Sequence, residues 1–463
     1  MPGPDRLCRL PARAQARKVR EGAVSATELL DAHLARIARA NSTLNAVVSL
    51  DEDSARQQAR HADRALRRGN AVGPLHGVPM TLKDGHEVAG LRTTVGTEAL
   101  DHISSTDSTV AARLRAAGAV LIGHTNVPPL LADHQTANPI FGRTNNPWNP
   151  GRTPGGSSGG AAAALASGMT PLEVGSDLNG SIRLPAHFCG VYGLKTTEHR
   201  VPLTGFLQAA EEAPRPVRIL SCLGPMARDL DDLALALGII SGPDGRGADV
   251  PPVPLPSVPR LPHRGLRLAI APTLPGVSVA AELRQQVERV AEDVVQAGGR
   301  VDERLPELDW KAAYATYEQL TLAVTGIFDP SSEMDDEQRS LAWYLDALDR
   351  RDRFMAQWQA FFDDVDALIL PPAAVTAFTH RQQGDPLEVD GEPLTYWANA
   401  RLLGIFNLGG LPSLVAPAGE DDDGLPIGLQ IVGPAWSETR LIGIARALER
   451  ANILPGFRFP PGY

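Results

Sequence analysis

Apolar residues recur at helical spacing through the first seventy positions. Residues 11 to 21 suit an amphipathic helix. Ser25 opens a second one, with Glu28 completing a capping box and Val24 and Leu29 placed as a hydrophobic staple. Leu30, Leu34 and Ile37 give that helix its apolar stripe. A third helix is predicted from about Asp51 to Arg68, with Ala55, Ala59, Ala62 and Leu66 on one face. From Gly73 the pattern changes to short apolar runs alternating with helical stretches. Val78 to Leu82 reads as a strand, Val110 to Ala117 as a helix with Asp107 and Ser108 where its cap belongs, and Ala119 to Ile122 as a buried strand. Later come a strand at Leu266 to Ala271, a helix at Ala280 to Ala297, and a strand at Ala367 to Leu370. Leu414 to Ala416 and Ile427 to Val432 read as paired strands. Such alternation predicts an α/β fold, a large sheet covered by helices on both faces.

The Pro/Gly-rich stretches at Ser241 to Gly265 and Ala418 to Pro426 read as loops. Neither separates compositionally different halves, and residues 201 to 390 are the least patterned. One domain over 1–463 is therefore expected. Within it, 1–70 forms a helical wrap, 73–200 carries the chemistry, 201–390 shapes the substrate site, and 391–463 returns to the core sheet.

Composition narrows the partners. The chain is 43% hydrophobic, enough for a large core. A formal charge of −10 argues against nucleic acid or an acidic membrane surface. The three cysteines, Cys8, Cys189 and Cys222, cannot all pair within the chain and lack metal-type spacing. No apolar run reaches the roughly 18 residues of a membrane helix, and the arginine-rich start lacks the apolar core of a signal peptide. A cytoplasmic protein without metal or cofactor is the expectation.

The candidate chemistry lies between Thr153 and Ser181. Gly155, Gly156, Ser157, Ser158, Gly159 and Gly160 lead into an alanine-rich helix, Ala161 to Ala166. A second glycine-supported turn, Gly175 to Gly180, presents Ser181, 24 residues after Ser157. A flexible linker would not run straight into a helix, and no Gly-Lys-Ser/Thr ending marks a phosphate loop. Gly155 to Gly159 also fits the G-x-S-x-G elbow of esterases, with Ser157 as nucleophile, but Asn149 to Pro154 makes a poor strand to feed it. A serine nucleophile needs a base. Eleven histidines leave a Ser-His-Asp site open by count. The other base is a desolvated lysine. Only Lys18, Lys83, Lys195 and Lys311 are lysines among 44 basic residues. Lys83 ends the run Gly77-Val78-Pro79-Met80-Thr81-Leu82-Lys83-Asp84, where arginine could not release a proton.

These residues resemble the amidase signature family, the Ser-cisSer-Lys hydrolases. The matching pieces are Gly77-Val78-Pro79 with Lys83-Asp84, Pro154 to Gly160, Asp177 to Arg183, Pro185 to Gly190, Gly193-Leu194-Lys195 and Gly428-Leu429-Gln430. The resemblance spans nearly the whole chain and is weakest in the middle. It implies the amidase signature fold, with a large twisted mixed sheet, and hydrolysis of a small or medium carboxamide through an acyl-serine intermediate. Ser181 matches the nucleophile, Lys83 the base, and Ser157 the bridging serine, preceded by a cis peptide bond. Ser158 would be a structural hydrogen-bonder. Backbone N–H groups of Leu178, Asn179, Gly180 and Ser181 would form the oxyanion hole. The family usually has Gly-Gly before the nucleophile where this chain has Asn179-Gly180, and Thr196 stands where proline is usual.

Leu131 and Ser176 are the substrate-binding candidates, and Phe328, Trp343, Trp397, His86 and His134 lie in regions that could face a pocket. Cys189 reads as packed rather than reactive. The implied partner is a small-molecule amide, and a homodimer stays open. The alternatives are acyl transfer or ester hydrolysis by the same site, a silent scaffold, and a glutamine-dependent transamidase subunit. The transamidase reading lacks its Arg-Val-Ser-Arg-Tyr-Gly stretch, the chain reading Arg200-Val201-Pro202-Leu203.

Overall fold

Local signals decide the N-terminal segment of the computed structural model, in which residues 4–70, 72–207, 217–326 and 334–463 are described. After a short helix α1 (Pro4–Cys8) come α2 (Ala12–Arg20) and α3 (Ala26–Leu44). The Ser25 hydroxyl accepts the Glu28 N–H at 3.0 Å, and the Glu28 carboxylate accepts the Ser25 N–H at 2.8 Å. Two N–H groups left open by the helix start are thereby satisfied. Strand β1 (Val47–Leu50) leads to α4 (Glu52–Arg67), which is capped by Asp51 and buries Ala55, Ala59 and Ala62.

The alternating segment begins with β2 (Pro79–Lys83), α5 (Thr109–Ala116) and β3 (Val120–Thr125). Ser108 caps α5 through the Ala111 N–H at 3.2 Å, whereas Asp107 accepts the Ala89 N–H at 2.8 Å. These strands form a small sheet in the order β1-β3-β2, with β3 antiparallel to β1 and parallel to β2. Lys83 is the last residue of β2, so the strand fixes its Cα and register.

Next come α6 (Gly159–Ala166), β4 (Leu172–Asp177), α7 (Arg183–Cys189), β5 (Tyr192–Lys195), β6 (Cys222–Ala227) and α8 (Leu230–Ile240). Then follow β7 (Arg267–Ile270), α9 (Ala281–Gln296), β8 (Arg300–Glu303), α10 (Trp310–Gly326) and α11 (Leu341–Phe361). The chain closes with β9 (Ala367–Leu370), α12 (Asn399–Leu408), β10 (Ser413–Glu420), β11 (Pro426–Val432) and α13 (Glu438–Arg450). The large mixed sheet runs β8-β7-β9-β11-β10-β5-β6-β4. Its parallel pairings among the described residues are β7 with β8 and β7 with β9; the others are antiparallel.

Both faces of this sheet are buried. Along β10, Leu414 and Ala416 share a core cluster with residues of α8 and α13, while Val415 between them packs with α6 and α7. The two-residue period of a strand sends neighbours to opposite faces. Two expectations change. The turn read at Gly175 to Gly180 starts later, because β4 continues through Asp177 in register with β6. The loop read at Ala418 to Pro426 is shorter, because β10 pairs with β11 out to Glu420. No helix among the described residues is long and apolar enough to cross a membrane.

Close approach governs α6. A Cβ added to Gly160 would lie 2.4 Å from the Asn126 nitrogen and 2.5 Å from its oxygen. Alanine is worth about 1 kcal/mol over glycine inside a helix, so propensity alone favours Gly160→Ala. Overpacking of this kind costs about 1–3 kcal/mol. Gly160→Ala is therefore expected to lower the urea midpoint, and a variant more stable than wild type would refute the contact.

Candidate active site

Two segments, the loop before α6 and strand β4, converge on Lys83 at the end of β2. Its ammonium donates to Ser157 Oγ at 2.7 Å and to Ser176 Oγ at 2.9 Å. Ser157 sits in the loop before α6, and the Gly156–Ser157 peptide bond is cis. Ser176 belongs to β4. The lysine is fully buried. Burial pushes its proton affinity down to about 7, against the pull of the Asp177 and Glu173 carboxyls. Near pH 7 a large share of the molecules thus carries a neutral amine, whose lone pair can accept a proton. Behind the lysine, the Thr81 hydroxyl donates to Glu173, and burial pushes that carboxyl up to about 8.

Ser181 follows the turn that joins β4 to α7. It lines one cavity of about 860 Å³ together with Ser157 and Ser176. Its hydroxyl makes no hydrogen bond among the described residues, so the contact with Ser157 is not made in this structure. The turn is built over its own carboxylate. Asp177 accepts the Gly180 N–H at 2.8 Å, the Ile182 N–H at 3.1 Å, and two Arg183 donors at 2.8 and 3.0 Å. Burial would raise the Asp177 proton affinity, but Arg183, Lys195 and the Gly180 N–H outweigh it and hold the carboxyl far below the usual range. Arg183 in turn donates to Gln430 at 2.7 Å, to Asn407 at 2.6 Å and to the Leu403 carbonyl at 3.0 Å.

The four N–H groups expected at the oxyanion hole differ in this structure. The Gly180 N–H is directed at Asp177 and is not free. The N–H groups of Leu178, Asn179 and Ser181 meet no acceptor among the described residues. Asn179 needs no special backbone, since the left-handed residue is Gly180 at φ +86°. A Cβ on Gly180 would lie 2.2 Å from the Leu403 side chain, so glycine is required there twice over. Asn179 lines the cavity with its Oδ1 unpartnered.

Other sequence candidates separate. Leu131, at φ +60°, lines the cavity, as do His134 and Trp397. Ser176 lines it too, but its hydroxyl is engaged by Lys83. His86 is fully buried against the Phe206 ring, 4.9 Å away, and is not part of the cavity wall. Trp343 is not in the wall either, and Phe328 lies outside the described residues. For Ser158 it is the backbone N–H that bonds, to Ser181 O at 3.1 Å, while its hydroxyl is unpartnered. Thr196 donates to the Leu223 carbonyl at 2.9 Å, a bond proline could not make. Burial pushes the Cys189 thiol well up, and the residue is inert packing. No strand runs into Ser157, and among the described residues no histidine bonds to it, so the elbow reading has neither support nor base. The reasoning from sequence missed three anchors of the turn: Tyr317, Asn407 and the role of Arg183. Only Arg183, six residues from Asp177 in the same motif, carries a readable signal.

The Amidase family model matches residues 28–328 and 327–442. A glutamyl-tRNA(Gln) amidotransferase subunit of Synechococcus sp. is 34% identical, over 96% of this chain and 97% of that one. Indoleacetamide hydrolase of Bradyrhizobium diazoefficiens is 33% identical, over 94% of this chain and 85% of that one. The crystal structure of a bacterial aryl acylamidase of the amidase signature family superposes with a TM-score of 0.81 at 26% identity, covering 96% and 97% of the two chains. The chain belongs to the amidase signature family and has its fold.

Burying Lys83 leaves a signature in stability. Folded, it holds its proton only below about 7; unfolded, up to its ordinary 10.5. Between these values the unfolded state binds more protons, so stability rises with pH across that window. The rise amounts to roughly 4 kcal/mol. In Lys83→Met this component vanishes, and urea titrations between pH 7 and 10 should show a correspondingly flatter profile. An unchanged profile would mean that the lysine is not desolvated.

Proposed function

We propose that the chain is an amidase that hydrolyses small carboxamides with an apolar or aromatic acyl group through an acyl-Ser181 intermediate. The observation that carries this reading is the 2.7 Å contact from Lys83 to Ser157 beside a cavity that Ser181 also lines. The neutral Lys83 amine takes the Ser157 proton while Ser157 takes that of Ser181. The Ser157–Ser181 hydrogen bond closes when substrate is bound, as catalytic contacts often tighten only in the complex. Ser181 Oγ attacks the carbonyl carbon, and the N–H groups of Leu178, Asn179 and Ser181 receive the developing oxyanion. Each such donor is commonly worth about 3 kcal/mol. The C–N bond then breaks, the amine leaves with the proton returned along the relay, and water hydrolyses the Ser181 ester by the same steps.

Apolar walls support the substrate class. Leu131, Phe206, Val277, Leu322, Leu394 and Trp397 line the cavity, and a small apolar ligand gains by leaving water there. Indoleacetamide hydrolase, similar over most of its length, is named for such a compound. The similarity to an amidotransferase component favours a second reading, acyl or ammonia transfer within a complex. The sequence tells against it: after Arg200-Val201 the chain continues Pro202-Leu203 where the transamidase stretch has Ser-Arg. We place the enzyme in the cytoplasm, working without a cofactor.

Fluorophosphonate labelling followed by peptide mass spectrometry tests the assignment. One adduct is expected on the Ser181 peptide, absent in Ser181→Ala and slowed at least about 100-fold in Ser157→Ala and Lys83→Ala. The labelling rate should climb with pH through about 7, as Lys83 loses its proton. Phenylacetamide and indole-3-acetamide should release ammonia. Labelling at Ser157 that survives Ser181→Ala would overturn the roles.

A further inference from the structure

The turn before Ser181 is held from the cavity side by a residue that no motif announces. Tyr317 lies on α10, is 4% exposed, and lines the cavity. Its hydroxyl donates to the Leu178 carbonyl at 3.3 Å. The ring is seated in a notch of α12: a Cβ on Gly404 would fall 2.3 Å from its Cε1 and Cζ. Burial keeps the phenol protonated, its proton affinity raised above the ordinary value, so the donor persists across the working pH range. The Leu178 carbonyl and the Asn179 N–H belong to one trans peptide unit, in which C=O and N–H point in opposite directions. Fixing the carbonyl therefore fixes where the Asn179 N–H points, and that N–H has no acceptor among the described residues.

We propose that Tyr317 is a positioning residue for the oxyanion hole, holding the Leu178–Asn179 peptide so that the Asn179 N–H faces the reacting carbonyl. The inference rests on the acyl-Ser181 reading and adds to it a residue outside the motifs. Neighbouring constraints agree. Leu403 closes against Gly180, and Asn407 donates to the Asp177 carbonyl at 3.1 Å, so the turn is gripped at Asp177, Leu178 and Gly180. Without the hydroxyl, the Leu178–Asn179 unit is the one peptide in this grip free to rotate. Because Tyr317 is also cavity wall, an acyl group packed on its ring presses it onto α12 and the carbonyl, which ties substrate fit to the hole.

Tyr317→Phe removes the hydroxyl and keeps the ring on Gly404. The expected result is a kcat lowered roughly 10- to 100-fold for indole-3-acetamide, with KM within about twofold. Phenylboronic acid, which forms an anionic adduct on the serine, should bind about 10-fold more weakly, measured by competition with fluorophosphonate labelling. The thermal midpoint should stay within a few degrees, since the contact touches only the turn. A KM that rises with kcat kept would make Tyr317 merely cavity wall and overturn the proposal, as would unchanged kcat and boronate affinity. A wild type that takes no label at Ser181 would instead sink the acyl-serine reading itself, and this proposal with it.

Discussion

One buried ion pair, Asp177 with Arg183, sets the geometry on which the rest of the site depends. Both side chains are fully buried. Such a pair rarely adds net stability, because removing two charges from water costs about what their attraction returns. What it supplies here is shape. The carboxylate gathers the N–H groups of Gly180 and Ile182 and thereby bends the chain just before and after Ser181. The guanidinium carries that bend outward to Gln430 on β11 and to Leu403 and Asn407 on α12. Residues more than 200 positions apart thus become one rigid seat for the nucleophile.

The same pair protects the chemistry of Lys83. A free Asp177 carboxylate would hold the lysine in its charged form, since opposite charge at short range raises a base's proton affinity. Arg183 engages that carboxylate directly, and at Lys83 desolvation outweighs the pull of Asp177 that remains. The two serines that touch the amine are uncharged and cannot re-ionise it. Glu173 fits the same logic: burial leaves it mostly protonated at neutral pH, so a carboxyl close behind the base adds little charge. A dry lysine is costly to fold around, and function is where proteins tolerate such a cost.

Legibility in the sequence follows the range of the interactions involved. The capping box at Ser25 and Glu28 and the strand Ala367–Leu370 are decided within a few residues, and both were readable. So was the fold class, through apolar alternation and the family resemblance. The end of β4 was not: Gly175, Ser176 and Asp177 have turn chemistry, and it is pairing with β6 that makes them a strand, while the Ser158 hydroxyl leaves no room for a side chain at Gly175. Lys83, Ser157 and Ser181 were readable as candidates; the structure puts both serines on one cavity and Lys83 behind it, against Ser157. The Gly180 N–H bond to Asp177 was not readable, because spacing within a motif does not show which way a peptide turns. Tyr317 was invisible, since its meaning comes from a contact 139 residues away.

That last point bears on what separates members of this family. The residues around Lys83 and Asp177 come from segments that carry motifs, whereas much of the cavity wall comes from segments that carry none. Tyr314, Tyr317 and Leu322 are on α10, Val277 lies before α9, and Leu394 and Trp397 precede α12. Two relatives with different names stand at 33% and 34% identity over most of this chain, so identity over the whole length does not discriminate between them. The seat of the nucleophile can be shared while the wall changes: Tyr317 is a wall residue bonded to the seat, at the Leu178 carbonyl, whereas Leu403 on Gly180 and Asn407 on Asp177 hold the seat without lining the cavity. Substitutions elsewhere in α10 can reshape the acyl site at little cost to the relay. At Tyr317, a change made for substrate fit would also move the peptide that carries the Asn179 N–H.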